Sequence, residues 1–212
     1  MLFRSKRGSG RITHDERELG EFTTLEVGGA IEVTLEQGRP PRLLIDVDDN
    51  LVSEIVSEVS GDRLTLRARH RFSATHLKLV LRAWKIDALE ITGSSTVQAP
   101  AFVCKTLQAT VSGASHFRIP AFTAERLELD VKGASRVAVG GRANDLVLEA
   151  SGASVVDLSA FEVRRARAEL SGASVAQVWA ADVLQGQASG ASSLRYRGDP
   201  TLKMEQIGRA HV

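Results

Sequence analysis

The chain has 212 residues, 43% of them hydrophobic and 25% charged, with 27 Lys and Arg against 26 Asp and Glu. That near-balance supplies no long-range attraction to nucleic acid or an anionic membrane, and the apolar fraction excludes wholesale disorder. Eighteen glycines against few aromatics (seven Phe, two Trp, one Tyr) argue against a base-stacking surface and for frequent tight corners inside regular structure.

The start, MLFRSKRGSG, has the basic flavour of a signal-peptide n-region without the apolar run that should come after it. It leaves two expectations, a cytoplasmic protein or an exported one whose signal lies outside this chain. No stretch approaches the roughly 18 apolar residues of a membrane-spanning helix. The single cysteine, Cys104, cannot form an internal disulfide and excludes CxxC-type metal sites.

Residues 22–36 (FTTLEVGGAIEVTLE) read as strand, Gly-Gly corner, strand, and residues 42–47 as a further strand. Asp48, Asp49 and Asn50 are good helix N-caps, and Leu51, Ile55, Val56 and Val59 keep helical spacing, so a short α-helix is predicted over 51–59, stopped at Gly61. Residues 64–68 and 77–83 read as strands again. The helix-bearing segment is expected to cap one end of the regular region C-terminal to it.

From residue 92 a repeat dominates. TGSS at Thr92 is followed by SGAS at Ser112, KGAS at Lys132, and SGAS at Ser151, Ser171 and Ser189. The corner glycines are Gly93, Gly113, Gly133, Gly152, Gly172 and Gly190, with gaps of 20, 20, 19, 20 and 18 residues, and a weaker last copy surrounds Gly208. Two residues before each glycine stand Ile91, Val111, Val131, Ala150, Leu170 and Ala188. Four residues after it stand Val97, Phe117, Val137, Val156, Ala176 and Leu194, and six after it come Ala99, Ile119, Val139, Leu158, Val178 and Tyr196. Apolar residues thus recur at every second position on both sides of the corner, the period of a strand with one buried face.

A second corner recurs as APAF (99–102), IPAF (119–122) and LSAF (158–161), whose phenylalanines should stack inward as a ladder. At about 3.3 Å per residue a 20-residue unit traces roughly 60 Å, a closed coil that holds one or two layers of small side chains. Successive coils would pair in parallel. The fold class is therefore all-β, a single-stranded parallel β-helix of about 20-residue coils with a short N-terminal α-helix in a capping region. A left-handed β-helix needs a six-residue apolar rhythm, which is absent, so the right-handed form is expected. Residues 1–20 read as an arm and 21–212 as one β-helix domain, irregular over 21–83 and regular over 84–212. The whole length is about nine or ten coils' worth of chain, part of it diverted to the cap.

Three constellations bear on chemistry. Ser95, Ser115, Ser135, Ser154, Ser174 and Ser192 stand two residues after the corner glycines. Recurrence in every coil favours a structural ladder over a hydroxyl-lined binding face, and no histidine recurs beside them to act as a base. Glu90, Asp130, Glu149 and Glu169 stand three residues before the glycine, on the outward phase, as a candidate exposed acidic stripe. Such a stripe could collect a hard cation, although a solvated face balanced by Arg126, Arg164, Arg165 and Arg167 is the plainer reading. The histidines (His14, His70, His76, His116, His211) lack ligand spacing. No catalytic residue, no metal site and no cofactor is expected.

The SGAS corners, the FTTLEVGGAIEVTLEQG opening, the DDNLVSEIVSEVSGDRLTLRA segment and the closing LRYRGDP together resemble the head GIN domain of putative auto-transporter adhesins, a bacterial family, from about residue 8 to 208. The resemblance implies a right-handed parallel β-helix, a periplasmic or cell-surface setting and a surface ligand, protein or glycan, with no catalytic residues to carry over. Neither nucleic-acid binding nor membrane insertion is expected of this chain. The alternatives are a scaffold that self-associates through its β-helix ends, in the manner of bactofilins, giving a homo-oligomer, and, less favoured, an enzyme acting on acidic polysaccharide.

Overall fold

A computed structural model describes residues 5–208. The molecule is all-β, 67% strand, wound as a β-solenoid of about 6 turns. Parallel pairing follows the repeat: Leu107, Leu127, Leu146, Ala166 and Leu184 lie in one column, and Ile91, Val111, Val131, Ala150, Leu170 and Ala188 in another. Both columns are buried. Apolar residues every second position have only one interior to fill, so the alternation read along the chain becomes a layered core.

The alternation breaks three times per coil, wherever consecutive side chains point outward. Within the long strand Val155–Leu170 the breaks fall at Ser159–Ala160 and Arg164–Arg165, and the GAS corner follows at Gly172 and Ala173. Each coil is thus three-sided. The sequence showed two of these corners; the third is marked only by polar pairs such as Glu125–Arg126, Asn144–Asp145 and Arg164–Arg165.

At the GAS corners the glycines take φ from +72° to +82°, where a side chain is strained. Each corner is also hydrogen-bonded to the one below: the Ala134 N–H donates to the Gly113 carbonyl and the Ala153 N–H to that of Gly133, both at 2.8 Å. The phenylalanine ladder is interrupted. Phe102 pairs in register with Phe122, but Gly141 occupies the next level before Phe161. Phe122 and Phe161 lean into the gap and stack with centroids 6.0 Å apart. Tyr196, on the same repeat column as Ile119 and Leu158, lies on the last turn and is 41% exposed.

Stack order and chain order part company at the N-terminal end. Thr24–Gly28 and Glu32–Gln37 pair upward with Ala88–Ile91 and Thr96–Gln98. Beneath them lie Arg63–Ala68 and Leu77–Ala83, which come later in the chain. Antiparallel strands close this end: Ile55–Ser60 folds onto Arg63–Ala68, while Arg42–Asp48 lies on Leu77–Ala83 and Ile12–Glu18 on Arg42–Asp48. Residues 12–18, within the expected arm, are therefore a sheet strand.

The α-helix expected over 51–59 is a correction. Residues Asp49–Glu54 form 3₁₀ turns, Asp48 makes no side-chain capping bond, and Ile55–Ser60 is a strand turning at Gly61 into its hairpin partner. Ile55, Val56 and Val59 are β-branched, and an open ladder edge beside them rewards strand pairing more than a solvent-facing helix would.

Asp48, Asp49 and Asn50 have a different task. The fully buried Asp48 carboxylate accepts from the N–H groups of Gly10 (2.7 Å) and Thr75 (2.8 Å) and from the Thr75 hydroxyl. Asn50 accepts from the Ser9 N–H at 3.0 Å and donates to the Arg7 carbonyl at 2.8 Å. A side chain on Gly8 would strike the Asp48 carboxylate. The Gly8-Ser9-Gly10 segment is thereby clasped to the cap.

Hydrogen bonds, first from the Thr75 hydroxyl and then from backbone N–H groups, hold Asp48 at about 2, outweighing its burial. The lowered value means the clasp stabilises the fold above the carboxyl's ordinary pKa near 4 and is lost as pH falls toward 2. The melting temperature is expected to drop across that window. Asp48→Asn should melt lower at neutral pH and show a shallower acid-side drop, measured by circular dichroism melts between pH 2 and 7. Parallel profiles would reject the clasp.

Candidate binding faces

The strands before the GAS corner form one outward face. On it Glu26, Glu90, Thr110, Asp130, Glu149, Glu169 and Gln187 stand in a single column across successive coils. Neighbouring carboxylates about 5 Å apart repel, and cations on the same face offset this. Arg63 bridges Glu90 (2.8 Å) and Glu26 (3.3 Å), Lys132 contacts Asp130 at 2.5 Å, and Arg167 contacts Glu169 at 2.6 Å. Asp130 in turn holds the Lys132 ammonium above its ordinary range. Beside the stripe Arg165 grips Asp145 through two bonds, 2.6 and 2.9 Å, which lowers the Asp145 carboxyl. Among the described residues Glu149 has no ion-pair partner, and no three His, Cys, Asp or Glu side chains converge as metal ligands. This face is a self-neutralised ionic lattice.

The serine column points inward. Ser95, Ser115, Ser135, Ser154, Ser174 and Ser192 are fully buried. Ser135, Ser154, Ser174 and Ser192 each donate to the carbonyl three residues earlier, at 2.7–2.9 Å. Among the described residues the hydroxyls of Ser95 and Ser115 have no hydrogen-bond partner. None of the six is accessible to a substrate. Cys104 is half-buried, and burial together with Asp87 pushes its thiol up to about 11, far from a reactive thiolate.

The strands after the corner form a second face with a different character. Its outward columns run Thr96, His116, Arg136, Val155, Val175 and, beside them, Gln98, Arg118, Ala138, Asp157, Gln177. Between the columns lies an open, mostly apolar depression of about 480 Å³ whose lining includes Ala138, Val155 and Asp157. No ion pair reaches His116, Arg118 or Arg136 among the described residues, and Asp157 is turned onto Ser159 (N–H 3.0 Å, hydroxyl 2.6 Å). In the sequence His116 enters only as a histidine without ligand spacing, and Arg118 and Arg136 belong to no candidate site, although all three occupy outward positions three and five residues after corner glycines. Of the remaining histidines, His14 contacts Asp46 (2.6 Å) and His70 contacts Glu54 (3.0 Å) in the cap, and His211 lies outside the described residues.

The model of the family described as "Putative auto-transporter adhesin, head GIN domain" matches residues 21–200. The chain belongs to this family. A crystal structure of a putative adhesin from Bacteroides fragilis superposes on this head GIN chain with a TM-score of 0.89 at 18% identity, covering 97% of each. One from Parabacteroides merdae gives 0.83 at 17% identity, covering 97% of this chain and 98% of that one. A putative lipid binding protein from Parabacteroides distasonis gives 0.80 at 17% identity, covering 99% of this chain and 100% of its own. At these identities the likeness is one of fold. A search of the curated proteins finds no match. No helix among the described residues of this head GIN chain is long and apolar enough to cross a membrane.

Proposed function

We propose that this head GIN chain is an extracytoplasmic adhesion module, not an enzyme, that holds a surface ligand across its repeat faces. The observation that carries this reading is the uniformity of the coils. Among the described residues, parallel strands whose register shifts only near the corners leave broad faces open to a large ligand, with shallow depressions and no walls raised by loop insertions. Enzymes of polysaccharide cleavage need carboxylates converging on one bond. Here the carboxylates stand in a column, most of them tied to cations. The serine and glycine columns are structural in this reading, and the acidic stripe is a solvated lattice. The coil is taken to wind right-handed, the preferred hand of parallel crossovers.

End-to-end self-association is the weaker reading. It needs an inviting strand edge at each end, and the strand Ile12–Glu18 (ITHDERE) lays a row of charged side chains along one of them. Arrays of immobilised glycans and extracellular proteins test the proposal. Retention on a defined subset, with no cleavage of the retained glycans, is expected. No retention, or release of cleavage products, rejects it.

A further inference from the structure

The faces before and after the GAS corner both carry charge, but they dispose of it differently. Before the corner, Arg63, Lys132, Arg165 and Arg167 are each spent on a carboxylate of the protein. After the corner, His116, Arg118 and Arg136 are exposed and have no carboxylate partner among the described residues. His116 and Arg136 are register partners on adjacent coils, about 5 Å apart at the backbone, and Arg118 is two residues from His116 on the same strand, about 7 Å away. Ala138, the register partner of Arg118, is too small to fill the space beside the guanidinium. The result is a depression lined by His116, Arg118 and Arg136 together with Asp157, and by Ala138 and the 42%-exposed Val155.

We infer that this face binds an acidic polysaccharide, its carboxylates or sulfates on Arg118, Arg136 and His116 and the apolar faces of its sugar rings on Ala138 and Val155. The inference rests on the adhesion reading and names the ligand class and the face. Charge complementarity selects an anion, since no ion pair among the described residues reaches the two guanidinium groups, and Asp157, the carboxylate that lines the depression, is turned onto Ser159. Openness selects a polymer: a small molecule needs a concave site that covers most of its surface, whereas a chain crossing several coils gains from repeated weak contacts. A peptide strand is disfavoured because the backbone groups of this face are already used in parallel pairing, leaving no edge to extend. The outward hydroxyl and amide of Thr96 and Gln177 continue the same two columns and suit sugar hydroxyls.

Polygalacturonate, neutral dextran and a duplex DNA of mixed sequence serve as probes against the full chain, by biolayer interferometry at low and high salt. Binding to polygalacturonate that weakens with salt, with none to dextran, is expected. Arg118→Gln combined with Arg136→Gln should weaken it by about tenfold or more at an unchanged melting temperature. The control pair Lys132→Gln with Arg167→Gln, on the other face, should leave it unaltered. Absence of polygalacturonate binding, DNA binding of equal strength, or equal loss in the two pairs overturns the inference. Retention of neutral glycans on the array with indifference to Arg118 and Arg136 would reject it while leaving the adhesion reading standing.

Discussion

Replacing Gly133 with alanine is expected to cost about 3 kcal/mol of folding stability, enough to lower the melting temperature by roughly 6–12 °C in a chain of this size. Two penalties combine. The residue sits at φ +75°, where an L side chain is strained, and its Cβ would lie 2.5 Å from the carbonyl oxygen of Gly113. That oxygen cannot retreat without loosening the bond it accepts from the Ala134 N–H. The clash therefore falls on the inter-coil ladder itself, in the middle of a stack whose turns support only their neighbours. Gly10→Ala is the control, because its φ is +82° but nothing lies within 4 Å of the added Cβ. It should lose only the conformational part, about 1 kcal/mol. Denaturant unfolding of both variants measures the difference, and equal losses would show that the corner stack contributes nothing beyond φ.

Phe122→Ala is expected to cost about 3–5 kcal/mol, the usual range for deleting a buried aromatic ring. Phe122 is fully buried, and its ring is the one that leans toward Phe161 across the level of Gly141. Gly141 makes that lean sterically available. It also holds the backbone so close that any side chain there would strike the Phe122 carbonyl. Truncating Phe122 removes the ring and strands Phe161 beside a void that the ladder cannot close, since coil spacing is set by backbone hydrogen bonds. The double variant Phe122→Ala with Phe161→Ala should lose less than the sum of the single losses, because the second ring has already forfeited its partner. Strict additivity, measured by the same unfolding experiment, would mean that the two rings do not share one cavity.

The core of the solenoid was legible in the chain because an inward position must be filled in every coil. Leu129, Leu148 and Ala168 therefore recur at coil spacing, and their pairing follows from counting residues. The cap was not legible, because it is built once. Leu51, Ile55 and Val59 fit a helical spacing as well as a hairpin strand, and only the open edge of Arg63–Ala68 decides between them. Asp48 reads as a helix cap for the same reason. Its partners Gly10 and Thr75 are distant in the chain, and no local pattern brings them together.

The acidic stripe and the basic group after the corner show the same division. That Asp130, Glu149 and Glu169 face outward in one column follows from their offset to the corner glycines. That Lys132 and Arg167 neutralise two of them, while Arg118 and Arg136 are left without ion-pair partners among the described residues, depends on side-chain reach across coils.

By itself, the sequence determined the parallel coils, their roughly 20-residue length, the glycine corners and the inward columns, since each is a local conformational demand repeated until it becomes a period. Only the tertiary structure decided the rest. It placed Arg63–Ala68 and Leu77–Ala83 beneath strands that precede them, turned an expected helix into a hairpin, and divided two charged faces into one self-neutralised and one open. These outcomes rest on contacts between segments far apart in the chain, whose energies no local spacing encodes.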